Sequence, residues 1–348
     1  MKDFHLSLFV TAICIAVAGY WGANNGMGVQ SAVFLVLVLG VMEVSLSFDN
    51  AVVNASILKD MDAKWQQIFL TVGILIAVVG MRLLFPIVIV SVATGLGMGS
   101  IADMALHRPD EYSGHLKESH VAIAAFGGMF LLLIFFSFLF DEGKELHWLG
   151  AVEEKLAGLG KLDSIGVMLS LVVLFVMQQW LPIGNQASRI SFLVAGMAGV
   201  ILFIAVSSLD SFFESEEDEG SAVGVATRNG LAGFLYLEVL DASFSFDGVI
   251  GAFAITRDVV IIMLGLAIGA MFVRSLTVSL VRKGTLDEYV FLEHGAHYAI
   301  GALAAIMLAG TVDGVHVPEV VTGLIGVAFI VWSLISSILH NRKNAVNA

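Results

Sequence analysis

Long apolar runs separated by short polar stretches make up most of the chain. A membrane-spanning helix needs about 20 mostly apolar residues. Ten segments come close to that length: 5–22, 31–57, 67–93, 120–140, 165–181, 188–208, 224–256, 259–281, 296–312 and 318–339. The pattern predicts an all-α polytopic membrane helix bundle of nine or ten transmembrane helices. Segments 31–57 and 224–256 are longer than a bilayer requires and carry acidic residues near their centres, so each is expected to tilt or break there. Lys2 followed by the apolar run from His5 to Tyr20 resembles a signal peptide, but no small-residue cleavage site precedes the next span. It reads as a retained first helix.

Cytoplasmic loops carry the excess of lysine and arginine. With ten spans and both termini in the cytoplasm, eleven of the seventeen basic residues lie inside. Arg108, Lys117, Arg189 and Arg257 lie outside, and Arg82 and Arg274 fall within the membrane. The long connection 94–119 is then external. The acidic stretch from Asp210 to Glu219 is cytoplasmic, where it either collects cations or is a solvated loop. Segment 141–164 reads as an amphipathic connector without recognisable chemistry. Residues 1–348 are expected to form a single integral membrane domain. Its parts are a first repeat over 31–140, a connector with helices five and six over 141–223, a second repeat over 224–312, and a last helix at 318–339.

Composition agrees with this class. The chain is 58% hydrophobic and 14% charged, with a mean hydropathy of +0.92, whereas soluble domains carry roughly 25% charged residues. A net charge of −13 leaves no basic footprint for nucleic acid. The one cysteine, Cys14, excludes an intramolecular disulfide and reads as a packing residue. No Gly-x-Ser-x-Gly, His-Glu-x-x-His or P-loop motif points to an enzyme.

Against that background one polar pattern stands out because it occurs twice. Glu43-Val44-Ser45-Leu46-Ser47-Phe48-Asp49 returns 198 residues later as Asp241-Ala242-Ser243-Phe244-Ser245-Phe246-Asp247. Carboxylates within a membrane are costly, face the bundle interior, and mark ion or proton pathways or pair with intramembrane arginine. The repeat extends further: Arg82 and Arg274 lie on the helices that follow, and His120 and His297 open the next, each followed by any residue, Ala and Ile. Helices two and seven differ by five in order, an odd number, so under strict alternation they cross in opposite directions and the pattern predicts an inverted-topology repeat comprising helices 2–4 and 7–9. In such a build the substrate site lies near the midplane, commonly on discontinuous helices.

On a regular helix Glu43, Ser47, Asn50 and Asn54 share a stripe, with Asp49 about 120° away. Glu238, Asp241 and Ser245 share another, with Asp247 roughly opposite. Either the helices unwind at Ser-Phe-Asp or the two acids serve different partners; Gly248 and Gly251 favour unwinding in the second copy. Glu43, Asp49, Asn50, Glu238, Asp241, Ser245 and Asp247 are all oxygen donors, which suit hard divalent ions such as Mg²⁺, Ca²⁺ and Mn²⁺. Met42 is either a soft contact nearby or ordinary packing. Arg82 and Arg274 are either exchangeable countercharges for these acids, or permanent salt-bridge partners or residues that snorkel to an interface. His120 and His297 are candidates for a proton-linked gate or for interfacial caps, and His294 and His297 have metal-compatible i, i+3 spacing.

At these residues the chain resembles the TerC family of integral membrane proteins, within the superfamily of LysE-type exporters. The resemblance rests on Glu43 with Ser47 to Asn50, on Asp241 with Phe244 to Asp247, and on the matching arginine and histidine helices; it is best over 31–93 and 224–312. It implies a multi-pass protein of the bacterial inner membrane that exports Mn²⁺ and supplies it to proteins beyond the cytoplasm; Ca²⁺, which the oxygen donors also suit, is the second candidate ion. The resemblance makes Glu43, Asp49, Asp241 and Asp247 the intramembrane acids, with Asn50 beside them. Gly248 departs from the polar residue common there, which leaves Glu238 as a replacement ligand. The expected function is secondary export of a divalent metal ion in the lipid bilayer, with protons as a candidate exchange partner and no prosthetic group. The competing expectation is a non-transporting membrane scaffold in a metal-stress or tellurite-resistance complex, its protein partners unknown.

Overall fold

The structure, a computed structural model, describes residues 4–59, 61–162, 164–213 and 230–347. Among these, regular structure is helical and no strand occurs. In chain order the helices are α1 (His5–Asn24), α2 (Val29–Leu46), α3 (Phe48–Leu58), α4 (Ala63–Leu75), α5 (Phe85–Thr94), α6 (Met98–His107), α7 (Pro109–Glu118) and α8 (His120–Leu139). They continue as α9 (Ala151–Ala157), α10 (Ile165–Trp180), α11 (Gln186–Phe213), α12 (Gly230–Ile255), α13 (Val259–Arg282), α14 (Thr285–Glu288), α15 (Leu292–Ala309) and α16 (Glu319–Asn347). A nine-residue π-helix, Ile76–Leu84, joins α4 to α5.

Among the described residues, six helices are long and apolar enough to cross a membrane, or up to eight if each of two bent pairs is one span. The chain is therefore an all-α, multi-pass membrane protein. Besides 67–93 and 165–181, which fall in the two bent pairs, three predicted segments behave differently. Segment 31–57 divides at Ser47 into α2 and α3. Helix α12 carries Glu238, Asp241 and Asp247, and α15 opens on Glu293 with His294 and His297 close behind, so both are helical but more polar than a plain span. Exposed apolar side chains such as Leu8, Phe9 and Ile13 on α1, Val194 and Ile201 on α11, and Val331, Trp332 and Ile335 on α16 suit a hydrocarbon solvent.

The chain forms two compact units. The first comprises Met1–Ala51, Gln67–His120 and Glu238–Lys283. Its centre is the packing of α13 on α2, with α1 against both. Close approach depends on small residues: Gly265 lies on Leu39, Gly269 on Glu43, and a Cβ on Gly40 would stand 3.0 Å from Ile268 Cγ2. Gly265 and Gly269 form a Gly-x-x-x-Gly seam of the kind that lets membrane helices touch at the backbone. Ser7 of α1 ties in by donating to the Met271 carbonyl at 2.7 Å. Asp258 caps α13 by accepting from the amides of Val260 and Ile261, and Trp21 Nε1 donates to its other oxygen at 2.8 Å. The connection 94–119 is folded, as α6 and α7, with Ile101, Met104, Tyr112 and Leu116 buried.

The second unit comprises Val52–Gln66, Val121–Leu237 and Gly284–Ala348. Helix α8 supplies much of its core, including Phe130, Leu131, Leu133 and Ile134. Glycines again set the spacing: a Cβ on Gly128 would meet Leu308 at 2.9 Å, and one on Gly301 would meet the Phe135 ring at 2.7 Å. The connector after α8 contains chemistry that its spacing does not announce. Lys144 Nζ pairs with Glu153 at 2.7 Å, donates to the Phe138 carbonyl at 2.9 Å and lies over the Phe138 ring. The Leu149 amide donates to the other Glu153 oxygen at 3.0 Å. Burial pushes the Glu153 carboxyl up, but the hydrogen bond and charge of Lys144 and the Leu149 amide outweigh it and leave it below its ordinary value.

Candidate functional site

Among the described residues, the first unit holds five charged side chains at its centre: Glu43 on α2, Arg82 on the π-helix, Glu238 and Asp241 on α12, and Arg274 on α13. None is more than 6% exposed. Burial of this kind is tolerated only when the charges are paired and hydrogen-bonded, and the structure supplies partners for most of them.

The acidic pattern takes two different backbone forms. In the first copy α2 stops at Leu46, Ser47 is non-helical at φ −105°, ψ 19°, and α3 begins at Phe48. The Ser47 hydroxyl turns back to donate to Glu43 Oε1 at 3.3 Å. In the second copy α12 runs unbroken through Asp241–Gly248. The glycines at 248 and 251 predict unwinding there, and the structure shows the reverse. Gly248 meets a packing demand: a Cβ at that position would stand 2.5 Å from Glu43 Oε2.

Each motif therefore leans on the other's counterpart. Position 50 of the first copy corresponds to 248 of the second, and 43 corresponds to 241. The Asn50 amide donates to Asp241 Oδ1 at 2.8 Å, while Gly248 leaves room for the longer Glu43 carboxylate. Asn with Asp on one side and Gly with Glu on the other fill similar space with opposite shares of side chain.

The arginines pair with the glutamates. Arg82 Nη2 donates to Glu43 Oε1 at 2.5 Å and Nη1 donates to the Ala77 carbonyl of its own helix at 2.7 Å. Arg274 Nη2 reaches Glu238 Oε1 at 3.3 Å. It also donates to two carbonyls of α4, Phe69 at 2.5 Å and Gly73 at 2.7 Å, and lies 3.9 Å over the Phe69 ring. Although Glu43 corresponds to Asp241 by motif, it is Glu238, one turn earlier, that takes the second arginine.

With every acid ionised, the three carboxylates and two guanidiniums of this cluster among the described residues sum to one net negative charge. Asp241 has no arginine within ion-pair distance among the described residues, although Arg274 lies close enough to act on it electrostatically. Asp241 Oδ2, Glu238 Oε2 and Ser245 Oγ, all buried, find no hydrogen-bond partner among the described residues. Orphaned buried oxygens are costly, and a cation would satisfy them. No group of three His, Cys, Asp or Glu converges as a ready metal site among the described residues. The side chains of Asp49 and Asp247 lie outside the described residues; of the acidic stretch Asp210–Glu219, residues 210–213 end α11 and 214–219 lie outside the described residues.

The histidines are placed separately. His120 is the first residue of α8. His297, in the second unit, stacks on Phe138 with ring centroids 4.1 Å apart and directs Nδ1 to the Glu293 carbonyl at 2.9 Å. His294 Nε2 is held by the Leu146 carbonyl at 2.9 Å and lies 3.6 Å from the buried Glu153. The i, i+3 spacing thus serves aromatic and carbonyl contacts. Sequence reasoning missed Lys144 and Glu153, which no periodicity marks, and the Gly265–Gly269 seam, which its spacing does mark.

No solved structure matches the chain. Among curated proteins, an uncharacterized membrane protein YceF of Bacillus subtilis (strain 168) is 29% identical over 107 residues, 31% of this chain. The matched part spans 40% of that relative's length. A family model described as "Protein of unknown function (DUF475)" matches residues 48–344. This match corrects the resemblance to the TerC family, because it covers most of the chain, including the second acidic motif and both arginine helices. The chain belongs to the DUF475 family.

Proposed function

We propose that this membrane protein is a secondary transporter for a hard cation, with the buried acids of the first unit as its binding site. The observation that carries the reading is Asp241. It is a buried carboxylate with one oxygen held by Asn50 and the other unsatisfied among the described residues, beside equally unsatisfied oxygens of Glu238 and Ser245. A lone structural ion pair does not require an extra acid, whereas a cation path does. The donor set is oxygen throughout, which favours a divalent ion such as Mn²⁺, Ca²⁺ or Mg²⁺ over a thiolate- or imidazole-seeking metal. The specific expectation of Mn²⁺ came from the corrected resemblance, so the ion is proposed here by class. Asp49 and Asp247, from the same two motifs, belong to the proposed path, with Asn50 as a positioning neighbour. Export across a bacterial cell membrane, with proton exchange, is the direction we propose; the loop charges bear on the orientation of the chain and not on the direction of flux.

The test is flux in proteoliposomes that contain a divalent-ion dye, with Mn²⁺ and Ca²⁺ offered in turn. Wild type is expected to carry at least one of them, and Asp241→Asn, which keeps shape and the Asn50 contact, to lose transport while remaining folded. Equal flux through both proteins would exclude the site. Absence of flux for either ion in wild type would favour the scaffold reading, in which the pairs only hold helices together.

A further inference from the structure

We infer that the two repeat-related arginines have different roles: Arg82 is a displaceable internal counter-cation that yields Glu43 to the transported ion, and Arg274 is a fixed part of the site's wall. This rests on the transport reading above. The repeat in sequence argues for one shared role; the contacts argue otherwise.

Arg274 is anchored from several directions. It meets two carbonyls of α4, the face of Phe69 and Glu238, and Gly73 lacks a side chain where the guanidinium lies, since a Cβ there would stand 2.7 Å from Nη1. Releasing it would strand two carbonyls and an acid. For Arg82, the sole side-chain hydrogen bond beyond its own helix among the described residues is the one to Glu43, and its Nε has no partner. Releasing it breaks a single link between elements.

The backbones differ in the same sense. Arg274 lies within an α-helix that runs from Val259 to Arg282, but Arg82 lies in the π-helix Ile76–Leu84. Such segments are uncommon and concentrate at functional sites. A one-residue change of register between π and α turns a side chain by about 100° around the axis, which is enough to remove Arg82 from Glu43. The acceptor side is prepared for the exchange. Glu43 lies against Gly248 and Gly269, next to the helix break at Ser47, whose hydroxyl is already directed to its carboxylate. A divalent cation replacing the guanidinium would find two carboxylate oxygens and a hydroxyl there.

Full-length protein in nanodiscs, titrated with Mn²⁺ or Ca²⁺ alone, tests this by affinity. A competing charge removed from a buried acid is worth at least about tenfold in affinity. Arg82→Gln is therefore expected to bind the ion at least about tenfold more tightly than wild type, and Arg274→Gln no more tightly. Binding by wild type without tightening in a folded Arg82→Gln protein would overturn the inference and leave the transport reading in place. Hydrogen exchange on wild type answers the same question without a variant. Addition of the ion is expected to raise exchange at residues 76–84 and not at 268–280; equal exchange at saturating ion would overturn it. If no ion binds to wild type, the transport reading fails and this inference fails with it.

Discussion

The two acidic motifs of the first unit carry nearly the same residues in two different conformations. Around Glu43 the chain is interrupted at Ser47 and the facing arginine rides a π-helix; around Asp241 the helix is continuous and the facing arginine lies in a regular α-helix. The difference shows that a repeat in sequence conserves chemistry more strictly than geometry. Glycine, usually read as a weak point in a helix, acts at 248 and 269 to admit Glu43, and the break falls where no glycine stands.

The comparison can be broken most directly at the arginines. Removing one partner of a buried ion pair costs about 3–5 kcal/mol. Arg274→Gln is expected to lose an amount of that order, since two carbonyls of α4 lose their donor as well, and Arg82→Gln to lose clearly less. Thermal unfolding of both variants in one detergent measures this, and equal losses would remove the distinction between a fixed and a displaceable arginine.

A smaller effect is expected at the helix seam. A methyl group at Gly269 would press on the Cβ and Cγ of Glu43, atoms that cannot move away without shifting α2. Gly269→Ala is expected to cost about 1–3 kcal/mol, the usual range for an overpacked core. Gly248→Ala meets only the far end of the Glu43 side chain and is expected to cost less while disturbing the Arg82 pair. Reversal of that order in an unfolding assay would place the constraint on the carboxylate rather than the backbone.

The smallest expected effect sharpens the comparison from outside the repeat. Lys144 and Glu153 in the second unit form a buried pair with no role in the proposed path. The folded carboxyl of Glu153 lies below its ordinary value of 4.5, so its contribution is present above that pH and is lost as pH falls through the lower folded value. Stability measured on wild type and Glu153→Gln is expected to converge over that acid range, and a difference that stays constant with pH would assign the pair no linkage.

Several features were legible in the residues alone. Apolar runs of spanning length dictate a helical membrane protein, because a backbone in hydrocarbon must satisfy its own hydrogen bonds. Buried acids and arginines in a doubled pattern dictate that the charges meet, because neither is tolerated alone. Other features had no local signature. Arg274 bonds Glu238 and not Asp241, and Asn50 reaches Asp241 across 191 positions, because such pairings depend on how closely α3, α12 and α13 approach. The Lys144–Glu153 pair and the π-register beneath Arg82 are of the same kind. The sequence by itself determined the solvent, the helices and the set of charged groups, since these follow from composition and spacing. Only the tertiary structure decided which acid each arginine neutralises and which acid keeps an unpaired oxygen, because those outcomes turn on ångström-scale contacts between residues distant in the chain.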